Sequence, residues 1–388
     1  MRDSRLSEGP NRAVILVAIA TAFSMLGDQT LYAVLPTYFT QLGLVPYQVG
    51  LILSLNRWIR LLTNQLAERL CRVYSAASLL GAALVVGAAI TLLYGQVMTF
   101  SVLLFCRLLW GLCWSFIRQV GTLTVIDTTP EERMGRMMGY YNGISRLGSL
   151  AGNFVGALLH DLVGYRRTMT LFGIISLAAA PIGALSRSKL PRGATMYPER
   201  DLISRRDPTL WLFGFVVGCV GSGLLTSTLG WVLKEKVGSG VLIIGVLVGV
   251  ATLNGALLAF RWAADGLAAP FLGALSDRIG RKMSAVIFFG IGALALTQAG
   301  LLSGTSILIF SVMIFFACGV GATVVMFSEA GMRGPRAVAT FVTAYDLGAA
   351  VGPPIGWMTQ QIYLPTEIIL LMGAALYGLG ALVALRFL

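Results

Sequence analysis

Residues 133–156 read RMGRMMGYYNGISRLGSLAGNFVG, and two hundred residues later 333–356 read RGPRAVATFVTAYDLGAAVGPPIG. Arg133, Arg136, Leu147, Gly148, Gly152 and Gly156 recur as Arg333, Arg336, Leu347, Gly348, Gly352 and Gly356. Each copy opens on basic residues, enters an apolar run and places glycines four residues apart, on one face of a helix. The chain therefore reads as two copies of one unit. One position inside the shared frame changes in kind: Arg146 in the first copy is Asp346 in the second.

Composition says where such a chain resides. Of 388 residues 56% are hydrophobic and 12% are charged, against about 25% charged in soluble domains. A soluble surface of this size cannot be covered with so little charge, which implies a polytopic membrane protein. The net charge of +12 does not imply nucleic acid, because the basic residues sit in short stretches between apolar runs. Cys71, Cys106, Cys113, Cys219 and Cys318 lie in or beside apolar runs without metal-type spacing and read as small packing residues. His160 is the single histidine, and HExxH, P-loop and zinc-ribbon patterns are absent. These features argue against an enzyme, a resident cofactor and a metal site. The polar N-terminus leads into an apolar run too long for a signal-peptide core, so a retained first span is expected.

Turn and charge signals divide the chain into apolar segments at roughly 13–40, 47–70, 75–95, 98–126, 134–162 and 167–186. The polar stretch SRSKLPRGATMYPERDLISRRDP follows at 186–208, then segments at roughly 209–234, 241–276, 283–303, 305–329, 336–362 and 365–386. The expected fold is all-α: twelve transmembrane helices in two pseudo-symmetric six-helix bundles. Residues 1–186 and 209–388 form the halves, and 187–208 the cytoplasmic linker. With both termini cytoplasmic, nineteen Lys and Arg fall inside, six lie within spans, and Arg166, Arg167, Lys234 and Lys236 fall outside. That asymmetry sets the orientation.

A short stretch between spans 8 and 9 carries a family. Gly273-Ala-Leu275-Ser-Asp277-Arg278-Ile-Gly280-Arg281-Lys282 resembles the G-x-L-x-D-R-x-G-R-K loop signature of the major facilitator superfamily of secondary transporters. Helix count, half-repeat and linker extend the resemblance over essentially the whole chain. Arg107-Leu-Leu-Trp-Gly111 in span 4 resembles the R-x-x-x-G signature, whose arginine is linked in the family to proton coupling. Asp28-Gln-Thr30…Leu35-Pro36 resembles the D-x-T…L-P pattern of drug-exporting members, one residue short. Asn153 replaces the proline of the exporters' G-x-x-x-G-P-x-x-G signature, and Glu68 and Arg72 stand where the first half should repeat Gly273 and Asp277. The resemblance implies transport by alternating access, with Gly273, Asp277, Arg278, Gly280 and Arg281 as an inner gating latch.

An ionisable side chain at the bilayer centre costs at least ~2.5–3.5 kcal/mol, so each such residue is a functional candidate. The spans hold Asp28, Arg57, Arg60, Arg107, Arg118, Arg146, Arg261, Asp265 and Asp346, while spans 3, 6, 9 and 12 hold none in their interiors. In the superfamily those four spans stand outside a central cavity lined by the other eight. Helical spacing groups Asn56, Arg57, Arg60 and Asn64 on span 2, and Asn254, Arg261 and Asp265 on span 8, where Arg261 and Asp265 are spaced to pair. These residues, with Arg118, Arg146 and Asp346, are the expected substrate contacts. Asp28, with Arg107 adjusting it, is the expected proton-coupling site.

Aligning the halves sets Arg60 in register with Asp265, and Arg146 with Asp346. Opposite charges at equivalent positions suit either pairing across the halves, with Arg146 against Asp346, or a cavity with one basic and one acidic wall. Six deep arginines against three aspartates leave an excess suited to a carboxylate or phosphate. The leading expectation is a monomeric, proton-coupled exporter of a small organic solute bearing an anionic or zwitterionic group, in a bacterial cytoplasmic (inner) membrane. Uptake or facilitated movement of an organic anion, or of a metal or metal complex, is the alternative. A transporter-like sensor or assembly factor is a third class. Substrate, protons and lipid are the expected partners.

Overall fold

The computed structural model describes residues 11–97, 99–187, 208–243 and 245–387. Most of the expected linker, 188–207, lies outside the described residues. The first half holds span 1 (Arg12–Tyr38), span 2 (Pro46–Val73), span 3 (Ala76–Gln96) and span 4 (Phe100–Thr128). Span 5 is Met134–Val163, and span 6 is Tyr165–Leu177 with Ala179–Arg187. Span 7 runs through Pro208–Val217, a π-helical segment Gly218–Leu225 and Thr226–Val237, and span 8 through Val250–Leu267 and Ala269–Ile279. Spans 9 to 12 are Arg281–Leu301, Thr305–Arg333, Pro335–Gln361 and Glu367–Phe387.

Eight of these helices are long and apolar enough to cross a membrane by length and composition. The four outside that set are spans 2, 5, 8 and 11, which carry Arg57, Arg60, Arg146, Arg261, Asp265 and Asp346. Their lower hydropathy marks helices that face protein and water rather than lipid alone.

Two boundaries differ from the sequence expectation. Span 8 does not begin at 241: Gly240–Ile243 (β1) and Val246–Gly249 (β2) pair antiparallel around Gly245, whose φ is +78°, and the helix starts at Val250. An apolar run does not by itself separate strand from helix, and glycines bracket this one. Gly273–Ile279 of the signature stretch is helical, in the last turns of span 8, and Gly280 (φ +85°) turns the chain into span 9. Arg187, counted with the linker, ends span 6, where its guanidinium is buried and donates to Thr124 Oγ1 and Asp127 Oδ2, each at 2.9 Å.

The repeated glycines set the helix pairs. A Cβ on Gly148 would overlap the Ala22 carbonyl, and one on Gly152 would lie 2.6 Å from the Leu26 oxygen, so span 5 packs backbone-close on span 1. The second copy repeats this on span 7, where Gly348 meets the Phe215 carbonyl and a Cβ on Gly352 would lie 2.5 Å from the Cys219 oxygen. Lipid is as apolar as a side chain, so close packing and polar contacts, rather than hydrophobic burial, hold such helices together.

The halves meet along spans 1 and 7, 2 and 11, and 5 and 8. The start of span 1 and the end of span 12 lie on one face, here the terminal face, and closure occurs at the opposite, far face. Asp161 near the end of span 5 accepts from Thr252 N (2.8 Å) and Oγ1 (2.6 Å), capping the start of span 8 from the other half. Lys234 near the end of span 7 donates to the Thr37 carbonyl (2.6 Å) at the end of span 1. A carboxylate suits a helix N-terminus and a cation a C-terminus, so both latches have the stabilising sign. Phe39 meets Trp357 edge-on at 5.1 Å, and Gly50 lets the span 11 backbone close over it.

Each latch is worth about 1–2 kcal/mol as a cap, so removing one should shift the closed-to-open ratio at the far face about 5–30-fold. Thr228, fully buried in span 7, reports this when replaced by cysteine. Its labelling by an impermeant maleimide should rise in Asp161→Asn and in Lys234→Met, relative to the same cysteine variant with both latches intact. Unchanged labelling in both would show that the seal does not depend on them.

Candidate functional site

Between the halves lies a cavity of about 800 Å³. Its walls come from spans 1, 2, 4, 5, 7, 8, 10 and 11, and among the described residues of the other four spans Tyr377 alone reaches it. The far-face contacts close it on one side, and the lining continues toward the terminal face through Arg118, Phe327 and Ser328.

Of the expected substrate contacts, Asn56, Arg57, Arg60, Arg118, Arg146, Arg261, Asp265 and Asp346 line the cavity. Asn64 and Asn254 do not. Asn64 Oδ1 accepts from Ser115 Oγ at 3.0 Å, bracing span 2 on span 4, and buried Asn254 donates to the Ala33 carbonyl at 2.7 Å, bracing span 8 on span 1. Both asparagines satisfy backbone or side-chain partners between helices, as polar groups in a bilayer must.

The charges pair crosswise. Arg60 Nη2 lies 3.2 Å from Asp346 Oδ1, and Arg146 Nη2 lies 2.9 Å from Asp265 Oδ2. Arg146 therefore does not pair with Asp346, and Asp265 does not pair with Arg261. The reason is geometric: an axis relating span 2 to span 8 and span 5 to span 11 carries the 2–11 contact onto the 8–5 contact. Equivalent residues stand on opposite sides of that axis, and each charge meets the other's partner. Arg261 turns instead to Ser222 Oγ (2.5 Å) and Thr226 Oγ1 (3.4 Å), with its guanidinium 5.1 Å from the Trp262 ring centre.

Asp28 lines the cavity, and Arg107 lies fully buried behind it. Arg107 Nη1 pairs with Asp28 Oδ1, Nη2 donates to Tyr32 OH at 3.0 Å, and Nε to the Ile52 carbonyl at 2.9 Å. Gln29 Nε2 donates to Asp28 Oδ2 at 3.0 Å, and Asn153 Nδ2 donates to Gln29 Oε1 at 3.0 Å. One hydrogen-bonded network thus joins spans 1, 2, 4 and 5. Asn153, the departure from the exporter pattern, is one of its members.

Each of the three deep aspartates holds one arginine. Arg57, Arg118 and Arg261 are left without an ion pair among the described residues, all lining the cavity. The signature residues stand apart from it: Asp277 and Arg278 are exposed, Gly273 lies beside Val324, and Arg281 pairs with Glu329 at 3.6 Å. Glu68 and Arg72 form an exposed i,i+4 pair.

Several lining residues escaped the charge-based reading. Ser222 sits in the π-helical segment of span 7 and hydrogen-bonds Tyr345. Phe315, Phe316, Phe327 and Phe341 line the cavity from spans 10 and 11, Phe327 half-exposed and the other three buried. The π segment was foreshadowed only by the closely spaced glycines of Gly218-Cys-Val-Gly221-Ser-Gly223.

The family profile described as Major Facilitator Superfamily matches residues 17–353. An uncharacterized MFS-type transporter of Methanocaldococcus jannaschii is 25% identical over 169 residues, 44% of each chain, so the match spans less than half of that relative. Among solved structures, the nucleoside transporter NupG superposes with TM-score 0.76 at 12% identity, covering 96% of this chain and 99% of that one. A bacterial homolog of the human lysosomal transporter Spinster, inward-facing and occupied, gives TM-score 0.75 at 15% identity over 96% and 95% of the two chains. A peptide transporter POT in complex with sulfate gives 0.76 at 13% over 96% and 93%. At these identities the structures attest the fold.

Breaking one crossed pair should destabilise by about 1.5–3 kcal/mol, the value of a hydrogen bond to a charged group. Arg60→Asp combined with Asp346→Arg should regain most of the thermal stability that either single change loses, whereas Arg146→Asp combined with Asp346→Arg should not. Rescue by the second combination and not the first would refute the crossed arrangement.

Proposed function

The chain belongs to the Major Facilitator Superfamily, and from that premise we propose that it moves a small organic solute bearing an anionic or zwitterionic group by proton-coupled alternating access, in the direction of export. The observation that carries the reading is the leftover charge: three arginines facing one cavity with every deep aspartate already engaged. Arginine keeps its proton, and its planar fork matches carboxylate or phosphate. Substrate negative charge, with water, is the natural complement.

In this reading Asn56, Arg57, Arg60, Arg118, Arg146, Arg261, Asp265 and Asp346 contact substrate or the pairs it disturbs, and Arg281 with its neighbours latches the terminal face. The crossed pairs tie the halves at mid-depth. A substrate anion arriving beside Arg60 or Arg146 competes with Asp346 or Asp265, loosening the interface as the cavity fills. Spans 1–6 and spans 7–12 rock as two units, with the terminal face cytoplasmic, in a bacterial inner membrane, as a monomer. Asp28 exchanges the coupling proton with the cavity, and Arg107 holds it between exchanges.

A second reading has its own support. Both Asp28 oxygens are engaged, by Arg107 and Gln29, which suits a fixed brace and uncoupled, facilitated movement of an organic anion. The metal alternative gains no support, since no group of three or more His, Cys, Asp or Glu comes together among the described residues.

Reconstitution into vesicles with a pH gradient separates these. Asp28→Asn should lose proton-driven accumulation while keeping solute counterflow. Undiminished proton-driven accumulation would sink the coupling role. Loss of counterflow as well would favour the brace, because an unpaired buried arginine costs about 3–5 kcal/mol. Tight solute binding by the wild type without any flux would overturn transport itself.

A further inference from the structure

The two walls of the cavity differ in chemistry. Among the described residues, four of its five arginines, Arg57, Arg60, Arg118 and Arg146, belong to the first half, whereas all four of its phenylalanines belong to the second. We infer that the substrate is an amphipathic organic anion: a carboxylate or phosphate head held between Arg57 and Arg261, and an apolar body laid on the phenylalanine face of spans 10 and 11. This rests on the anionic reading above and adds the second half of the molecule.

The contacts place head and body sites next to each other. Phe315 packs on Phe316 (ring centres 5.9 Å apart), Phe327 on Phe341 (6.1 Å) and Phe341 on Tyr345 (6.5 Å). The Phe327–Phe341 stack therefore ends at Tyr345, whose hydroxyl bonds Ser222, the same Ser222 that receives Arg261 at 2.5 Å. On the opposite wall Arg57 lies 5.9 Å from the Tyr32 ring centre and lines the same cavity as Tyr345. Two arginines without an ion pair among the described residues thus share the cavity with the polar end of the Phe327–Phe341–Tyr345 stack.

Local structure builds this junction rather than leaving it to loops. The π-helical turn at Gly218–Leu225 carries Ser222, and Gly218 packs directly on the Tyr345 carbonyl, holding spans 7 and 11 close enough for the Ser222–Tyr345 bond. Gly221 has open space where a Cβ would be, so the head site has room beside Ser222. A cavity of about 800 Å³ accepts a drug-sized solute. A purely polar anion would leave the half-exposed Phe327 uncovered, and a purely apolar solute would leave three guanidinium groups without a counter-charge. A solute with both parts satisfies both walls.

Binding to the full chain in lipid nanodiscs tests this with four probes: 2-naphthoate, acetate, 2-naphthylmethanol and 2-naphthylmethylammonium. Naphthoate should bind about thirtyfold or more tighter than acetate, from the apolar area it covers, and should outbind the neutral and cationic naphthyl probes. Arg261→Gln should weaken naphthoate about tenfold or more, and Phe327→Ala should weaken naphthoate about tenfold while leaving acetate competition unchanged. If naphthoate binds no better than acetate, the apolar half of the proposal is wrong and the anionic reading stands. If naphthylmethanol matches naphthoate, the anionic reading fails and this inference fails with it. No measurable naphthoate binding also overturns it, and Phe316→Leu provides a second wall variant if Phe327→Ala does not fold.

Discussion

Arg60 with Asp346, and Arg146 with Asp265, put four charges mid-span between the halves, and the fold is arranged around keeping them compensated. Each would cost at least ~2.5–3.5 kcal/mol alone at the centre of a span. Pairing across the halves removes most of that cost in one stroke and makes the interface between halves a polar contact. The same constraint explains the third pair. Arg107 is enclosed by Asp28, Tyr32 and a span 2 carbonyl, so the first half carries its own internal brace while the other two pairs bridge the halves.

Symmetry then decides which charges meet. The sequence repeat places arginine and aspartate at equivalent positions, but equivalence under an axis is not contact. Spans 2 and 11 touch, as do 5 and 8, and the charges follow the touching helices. The glycine faces at Gly148, Gly152, Gly348 and Gly352 hold span 5 on span 1 and span 11 on span 7, which fixes the depth at which the crossed pairs form. At the far face Asp161 and Lys234 close the interface by capping helices of the opposite half. Pairs at mid-depth and caps at one end leave the terminal face as the side from which the cavity is reached.

Much of this was readable in the sequence, for identifiable reasons. Twelve spans and eight lining helices follow from where a chain of this hydropathy can place charge, and eight of the ten expected contacts reach the cavity. Asn64 and Asn254 misled because a polar residue on a charged stripe has two uses, and here each ties two helices together. Residues 241–249 misled because an all-apolar run lacks the alternation that marks a half-buried strand. The phenylalanines of spans 10 and 11 were invisible because phenylalanine facing a cavity and phenylalanine facing lipid have the same periodicity. The partner of Arg146 depended on the axis, which no single half encodes.

The central claim is that the uncompensated arginines and the phenylalanine face bind one molecule together. A structure of the protein with 6-bromo-2-naphthoate tests it most directly, because bromine is located by anomalous scattering independently of the protein. Bromine is expected against Phe327, with the carboxylate between Arg57 and Arg261. Bromine confined to the lipid-facing surface, or a carboxylate seated away from both arginines, would contradict it.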